Sequence, residues 1–188
     1  IQQLLHIYLP SIVKQPTIVS TSNNNLDFYA YFRSLDSITQ VLDLELELPS
    51  FPTIKGYIRE KNQQIGLQAF IPYINTSGTK MEDVTIALDN QDDQLGLSIS
   101  LLNHLPKNNP TAAKLGDIKA KIYLNAQDDE LDLLVNLGNT DSVRNEGVIH
   151  AISKLSTYNN QSQLDIQILP SNFILNDSAW SIGQSTIT

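Results

Sequence analysis

The sequence predicts an all-β protein built from serial hairpins, and three observations carry that prediction. In QDDQLGLSISL, an acidic turn is followed by Leu95, Leu97, Ile99 and Leu101 at alternate positions. A period of two marks a half-buried strand, because successive side chains point to opposite faces. The near copy QDDELDLLVNL repeats the pattern with Leu131, Leu133, Val135 and Leu137. Looser versions place Leu26, Phe28, Ala30 and Phe32, then Ile65, Leu67, Ala69 and Ile71, then Leu164, Ile166 and Ile168 in the same way. Taking Leu26, Ile65, Leu95, Leu131 and Leu164 as anchors, the unit recurs every 30 to 39 residues, as two strands with their connections would. Against these five stretches stands a single good helix candidate.

The opening, IQQLLHIYLP, fits a helical stripe through Ile1, Leu4, Leu5 and Tyr8, and equally a strand through Leu5, Ile7 and Leu9. The strand is preferred, since Pro10 closes it as Pro170 closes QLDIQILP. Pro10, Pro49, Pro72, Pro106 and Pro170 all follow Leu or Ile and read as strand ends, because Pro cannot donate to a ladder. Ser11 to Ser20 reads as a strand weakened at Pro16, STSNNN as a turn, and Leu26 to Arg33 as the returning strand. SLDSITQVLD, Ser34 to Asp43, is the expected helix, and the only one. Ser34 or Asp36 can cap it, and Leu35, Ile38, Val41 and Leu42 share a face. LDLELELP is an acidic strand, PSFP breaks it, and TIKGYIRE runs through the KNQQ turn into the Ile65 strand. From Met81 the hairpins become regular: VTIAL with LGLSISL, IKAKIYL with LDLLVNL, VIHAISKL with LDIQIL. Lys107 to Lys114 reads as a loop. The tail NFILNDSAWSIGQSTI closes with a hairpin around NDSA. No internal boundary is visible, so residues 1–188 read as one β-repeat domain, taken as a piece of a longer protein.

Composition narrows the function classes. The chain is 41% hydrophobic and 17% charged, which excludes disorder, and its net charge is −8. Its 12 scattered Lys and Arg argue against nucleic acid, whose grip needs clustered cations. Zero cysteines exclude disulfide and thiolate chemistry. Asp92 and Asp93, and Asp128, Asp129 and Glu130, invite a calcium reading. However, they lack the spacing of a calcium loop, and the equivalent turns KNQQ and NNQSQ lack acids, so these are read as solvated turns. His6, His104 and His150 lie in different units; no Gly-x-Ser-x-Gly elbow and no Gly-rich phosphate loop occurs. The chain reads as non-enzymatic, with no cofactor, no metal and no catalytic residue. What stands out is the nearly uniform aliphatic lining of the strands. Periodicity alone leaves open whether those faces meet in a β-sandwich core or line an open sheet.

Leu35 to Leu88 bears on that choice. A short helix precedes an acidic Leu-rich strand, a Pro-flanked loop (Pro49 to Pro52) and the Lys55-Gly56 strand. The run GLQAFIPYI…GTKMEDVTIAL follows, and SNFILNDSAWSI sets a polar turn before a Trp strand. This order resembles the AsmA-like family, in particular its translocation and assembly module (TamB) members. The resemblance implies a long sheet curled like a taco around an apolar groove. It implies a segment of an inner-membrane-anchored periplasmic protein of a diderm bacterium that conducts or shields phospholipid between membranes, or assists outer-membrane protein assembly. Membrane contact would come through parts outside this chain, and an outer-membrane barrel assembly protein would be a partner. On that reading the groove is lined by Leu95, Leu97, Ile99, Leu131, Leu133, Val135, Leu164, Ile166 and Ile168 and takes a phospholipid or other acyl-chain ligand. The alternative is a β-sandwich module binding glycan or protein on a bacterial surface.

Overall fold

The computed structural model describes residues 2–15, 24–33, 46–47, 52–76, 79–91, 94–104, 116–139, 143–158 and 161–187. Over these the chain is all-β, with one helix, α1 (Gln2–Tyr8), and a single 13-stranded antiparallel sheet. Strands are β1 (Asn25–Tyr31), β2 (Leu46–Glu47), β3 (Thr53–Arg59), β4 (Gln64–Thr76), β5 (Thr79–Gln91), β6 (Gln94–His104) and β7 (Ile118–Gln127). They continue with β8 (Glu130–Asn139), β9 (Glu146–Tyr158), β10 (Gln161–Ile168), β11 (Ser171–Leu175), β12 (Ser178–Ile182) and β13 (Ser185–Ile187). The main path runs β1-β3-β4-β5-β6-β7-β8-β9-β10-β13, so from β3 to β10 each strand pairs with the next in sequence. Its two ends, β1 and β13, do not pair, and the sheet is open, curled and elongated rather than two sheets packed face to face.

The repeat unit has a plain structural meaning. Leu26, Ile65, Leu95, Leu131 and Leu164 fall in β1, β4, β6, β8 and β10, which are alternate members of the path. The final hairpin is longer than its turn suggests. The β10–β13 and β11–β12 pairs share one register, so 166–175 and 178–187 face each other around Asn176 and Asp177. Both turn residues have positive φ (49° and 59°), as do Asp128 and Asp129 (49° and 64°) between β7 and β8. Two such residues in a row make the tight turn whose twist matches paired strands, and Asn and Asp tolerate that conformation.

Several expectations are corrected. The opening is helix, not strand: Leu5, Tyr8 and Leu9 are gathered on one side against Leu95, Ala126, Leu88, Ile65 and Leu131, while Ile7 is 40% exposed. A helix was therefore not confined to 34–43, a stretch that lies outside the described residues. Pro10 to Val13 form turns and a bend rather than the start of a strand. Pro72 is not a stop but sits within β4, beside an irregularity where β5 changes register against β6 and Asp83 takes φ 51°. A bulge bends a strand, and it is one of the few places a sheet accepts Pro. Pro170 likewise interrupts a ladder that resumes at Ser171, with β9 slipping one residue between its β10 and β11 partners. Pro49, Pro106 and the loop 107–114 lie outside the described residues.

Candidate functional site

The registers sort every strand into two faces. One cross-strand row runs Phe28, Gly56, Leu67, Leu88, Leu97, Leu124, Leu133, Ala151, Ile168 and Ser185, one residue per strand across the whole path. The row beside it reads Ala30, Ile54, Ala69, Ile86, Ile99, Ile122, Val135 and Ile149. The nine steps between ten neighbouring strands, at about 4.8 Å each, make this aliphatic band about 43 Å long. The opposite face carries Asp27, Lys55, Gln68, Asp89, Ser98, Asn125, Asp132 and Gln167 in the same strands, and is mostly polar.

All nine residues expected to line a groove lie on the aliphatic face: Leu95, Leu97 and Ile99 on β6, Leu131, Leu133 and Val135 on β8, Leu164, Ile166 and Ile168 on β10. They are not adjacent rows, however. Strands β7 and β9 lie between them and contribute Ile122, Leu124, Ile149 and Ala151 to the same face, while β5 adds Val84, Ile86 and Leu88. The alternation in IKAKIYL and VTIAL was the available signal for these.

Exposure along β7 tells how the face is sheltered. Ile118, Ala120, Ile122 and Leu124 are half-buried and Ala126 is buried, whereas Lys119, Lys121, Tyr123, Asn125 and Gln127 are exposed. On β8 the two faces differ less, with Asp132, Leu134 and Asn136 half-buried like Leu131, Leu133 and Val135, and Leu137 exposed; the aliphatic side is the inner face of the curled sheet. It is not sealed. Leu97, Ile99, Leu131, Leu133, Val135, Ile166 and Ile168 are all only half-buried, Leu164 is exposed, and Leu95 alone of the nine is buried. In a dry core these side chains would be enclosed on every side by protein at crystal-like density.

What covers part of the face is α1. Tyr8 is buried against Leu95 and Ala126. Asn90, a polar residue on the inner face, donates through Nδ2 to the Tyr8 hydroxyl (2.7 Å) and accepts from the Ile65 N–H (2.7 Å). Asp129, expected to be a solvated turn acid, accepts from the Ser11 N–H and hydroxyl at 2.9 and 2.7 Å, while its own N–H donates to the Tyr8 carbonyl. These partners were not legible in the sequence, since Ser11 and Asp129 are 118 residues apart.

Titratable groups gather on the outer face. His104 sits between Glu82 (2.9 Å) and Asp117 (2.8 Å), and Lys80 pairs with Glu82 at 2.5 Å while lying over the Tyr73 ring. The Glu82 hydrogen bond, with help from Asp117, holds the His104 imidazole above its ordinary value. Lys80, then His104, hold the Glu82 carboxyl below its own. His150 bonds Asp132 at 2.8 Å. His6 bonds the Val13 carbonyl beside α1, so the three histidines remain apart. Among the described residues no set of three or more His, Asp or Glu is arranged to hold a metal ion, and no helix is long and apolar enough to cross a membrane. No protein-family model matches the chain, and no curated protein or solved structure matches it.

Proposed function

We propose that the chain is a non-enzymatic segment of a cell-envelope protein whose inner face holds acyl chains, conducting or shielding phospholipid. The observation that carries this is the aliphatic band, continuous across the sheet and only half-buried. Fully burying a Leu or Ile contributes roughly 1.5–3 kcal/mol, so a band this size favours an apolar occupant, and exposed patches beyond a few hundred Å² are uncommon on monomers. The lining also selects the occupant. Its two main rows contain almost no side-chain donor or acceptor, and a peptide laid across them in extended form would strand its backbone polar groups at a cost. A hydrocarbon chain has none to strand. A strip of about 43 Å running across the strands accommodates a tail lying along it, or several in file.

The family resemblance adds the setting: the periplasm of a diderm bacterium, within an inner-membrane-anchored protein, with assistance to outer-membrane protein assembly as the companion role and a barrel assembly protein as partner. Leu133→Glu tests the site itself. In a trough the new carboxylate reaches water along the open side, so the melting curve stays cooperative while capture of a photoreactive phospholipid is lost. No lipid on the parent protein, together with unfolding of the variant, would return the face to a closed core.

A cluster on the outer face supports a second reading, binding of glycan or protein. Tyr29 (68% exposed), Tyr31 and Phe70 stand open on β1 and β4, around Lys55 and Thr53. Sugars and protein partners both favour such rings. Tyr29→Ala with Tyr31→Ala would abolish binding to a glycan array or partner and leave lipid capture untouched.

A further inference from the structure

We infer that α1 is a displaceable lid, a piece of the chain itself that occupies the inner face where an acyl chain enters and leaves when one does. This rests on the acyl-chain reading of the trough and adds its regulation. The helix covers part of the surface that the reading requires: Tyr8, Leu5 and Leu9 pack over Leu95, Ala126 and Leu131. Helix and hydrocarbon cannot both be there. A helical turn satisfies part of its own backbone, as where the Leu9 N–H donates to the Leu5 carbonyl, and so strands fewer polar groups on an aliphatic wall than an extended segment would.

The hold is weak in its apolar part and local in its polar part. Seven residues make a helix well short of the roughly 12–15 at which an isolated one becomes even marginal, so α1 depends on the sheet for its existence. Of the α1 side chains described, only Tyr8 is buried; Leu5 and His6 are half-buried and Ile7 is exposed. The polar contacts gather at its C-terminal end, on Ser11, the Tyr8 carbonyl and the Tyr8 hydroxyl, and they are met by Asp129 and Asn90. Asp129 is presented by the two-residue turn between β7 and β8, where its φ is 64°. A segment whose described side chains are mostly half-buried or exposed, and whose polar contacts sit at one end, is released when those contacts open. A static cap would share these contacts but would not respond to ligand.

The test staples the latch. The chain has no cysteine, so in Ser11→Cys with Asp129→Cys the only disulfide that can form within the chain joins the turn that follows α1 to the β7–β8 turn, and reduction supplies a control of identical sequence. The probe is cis-parinaric acid, an acyl chain that fluoresces on entering an apolar site. With the disulfide formed, affinity is expected to fall at least tenfold below that of the same protein reduced. A second variant, Ser11→Ala with Asp129→Gly, removes the latch while keeping a residue that accepts positive φ, and is expected to bind the probe several-fold more tightly than the parent. It decides the question on its own should the disulfide fail to form. Equal affinity in parent, stapled and unlatched proteins overturns the lid and leaves the trough intact. Absence of binding in all forms, the unlatched one included, overturns the trough and the lid with it.

Discussion

At the scale of single residues, the closest contacts are made where a side chain is missing. A Cβ on Gly56 would lie 2.5 Å from the Phe28 ring and 2.6 Å from the Gly66 carbonyl oxygen, and one on Gly66 would meet the Tyr57 ring at 2.3 Å. Aromatic rings thus fill the gap beside each glycine, one on each face of the β1–β3–β4 corner. Because backbone as well as ring stands in the way, Gly56→Ala is expected to cost about 1–3 kcal/mol. Gly138→Ala, which meets nothing within 4 Å, should stay within about 0.5 kcal/mol of the parent in the same urea titration. His104 supplies a pH test. Its folded value is raised, so the stability it adds is present below its ordinary 6.5 and is lost as pH rises through the raised value. Glu82 is lowered from 4.5, so its share is present above that value and disappears as pH falls through the lowered one. The contact is therefore strongest between the two. Melting temperature followed between about pH 6 and 8 should fall less steeply in His104→Gln than in the parent; parallel curves would contradict this.

At the scale of elements, turns and bulges do most to shape the sheet. The Asp128–Asp129 and Asn176–Asp177 turns reverse the chain in two residues, and the ladders change register beside Pro72 and Pro170, the kind of irregularity that bends a strand. The Asp129 carboxylate is already occupied by two donors from Ser11, which leaves Asp128 and Glu130 as the acids of that turn without a partner among the described residues. Adding EDTA is expected to leave the melting temperature unchanged. A fall of several degrees that calcium reverses would instead establish a metal at this turn or at Asp92–Asp93, which lies outside the described residues. The hairpins were readable because alternation and turn chemistry are written within ten residues of one another. The opening was not. Its stripe suits two conformations, and what selects helix is the apolar surface of β6 and β7, which lies some ninety residues or more away in the chain.

At the scale of the whole molecule, one curled sheet with an aliphatic interior and a mostly polar exterior accounts for the repeating sequence. Far-ultraviolet circular dichroism should be dominated by the β signal; a spectrum dominated by helix would contradict both the fold and the repeat. The sequence by itself determined the predominance of strand, the two-strand unit recurring from Leu26 to Leu164, the closing hairpin and the apolar side of the repeating hairpin strands. These follow from the pleat, which sends neighbouring residues to opposite faces whatever the partner. Only the tertiary structure decided that β7 and β9 separate the rows of β6, β8 and β10, that the apolar faces line one sheltered but unsealed side, and that α1 lies against it, held by Asp129. Pairing order, curl and docking are settled between segments far apart in the chain, where a short pattern that fits two conformations takes the one that its distant neighbours can receive.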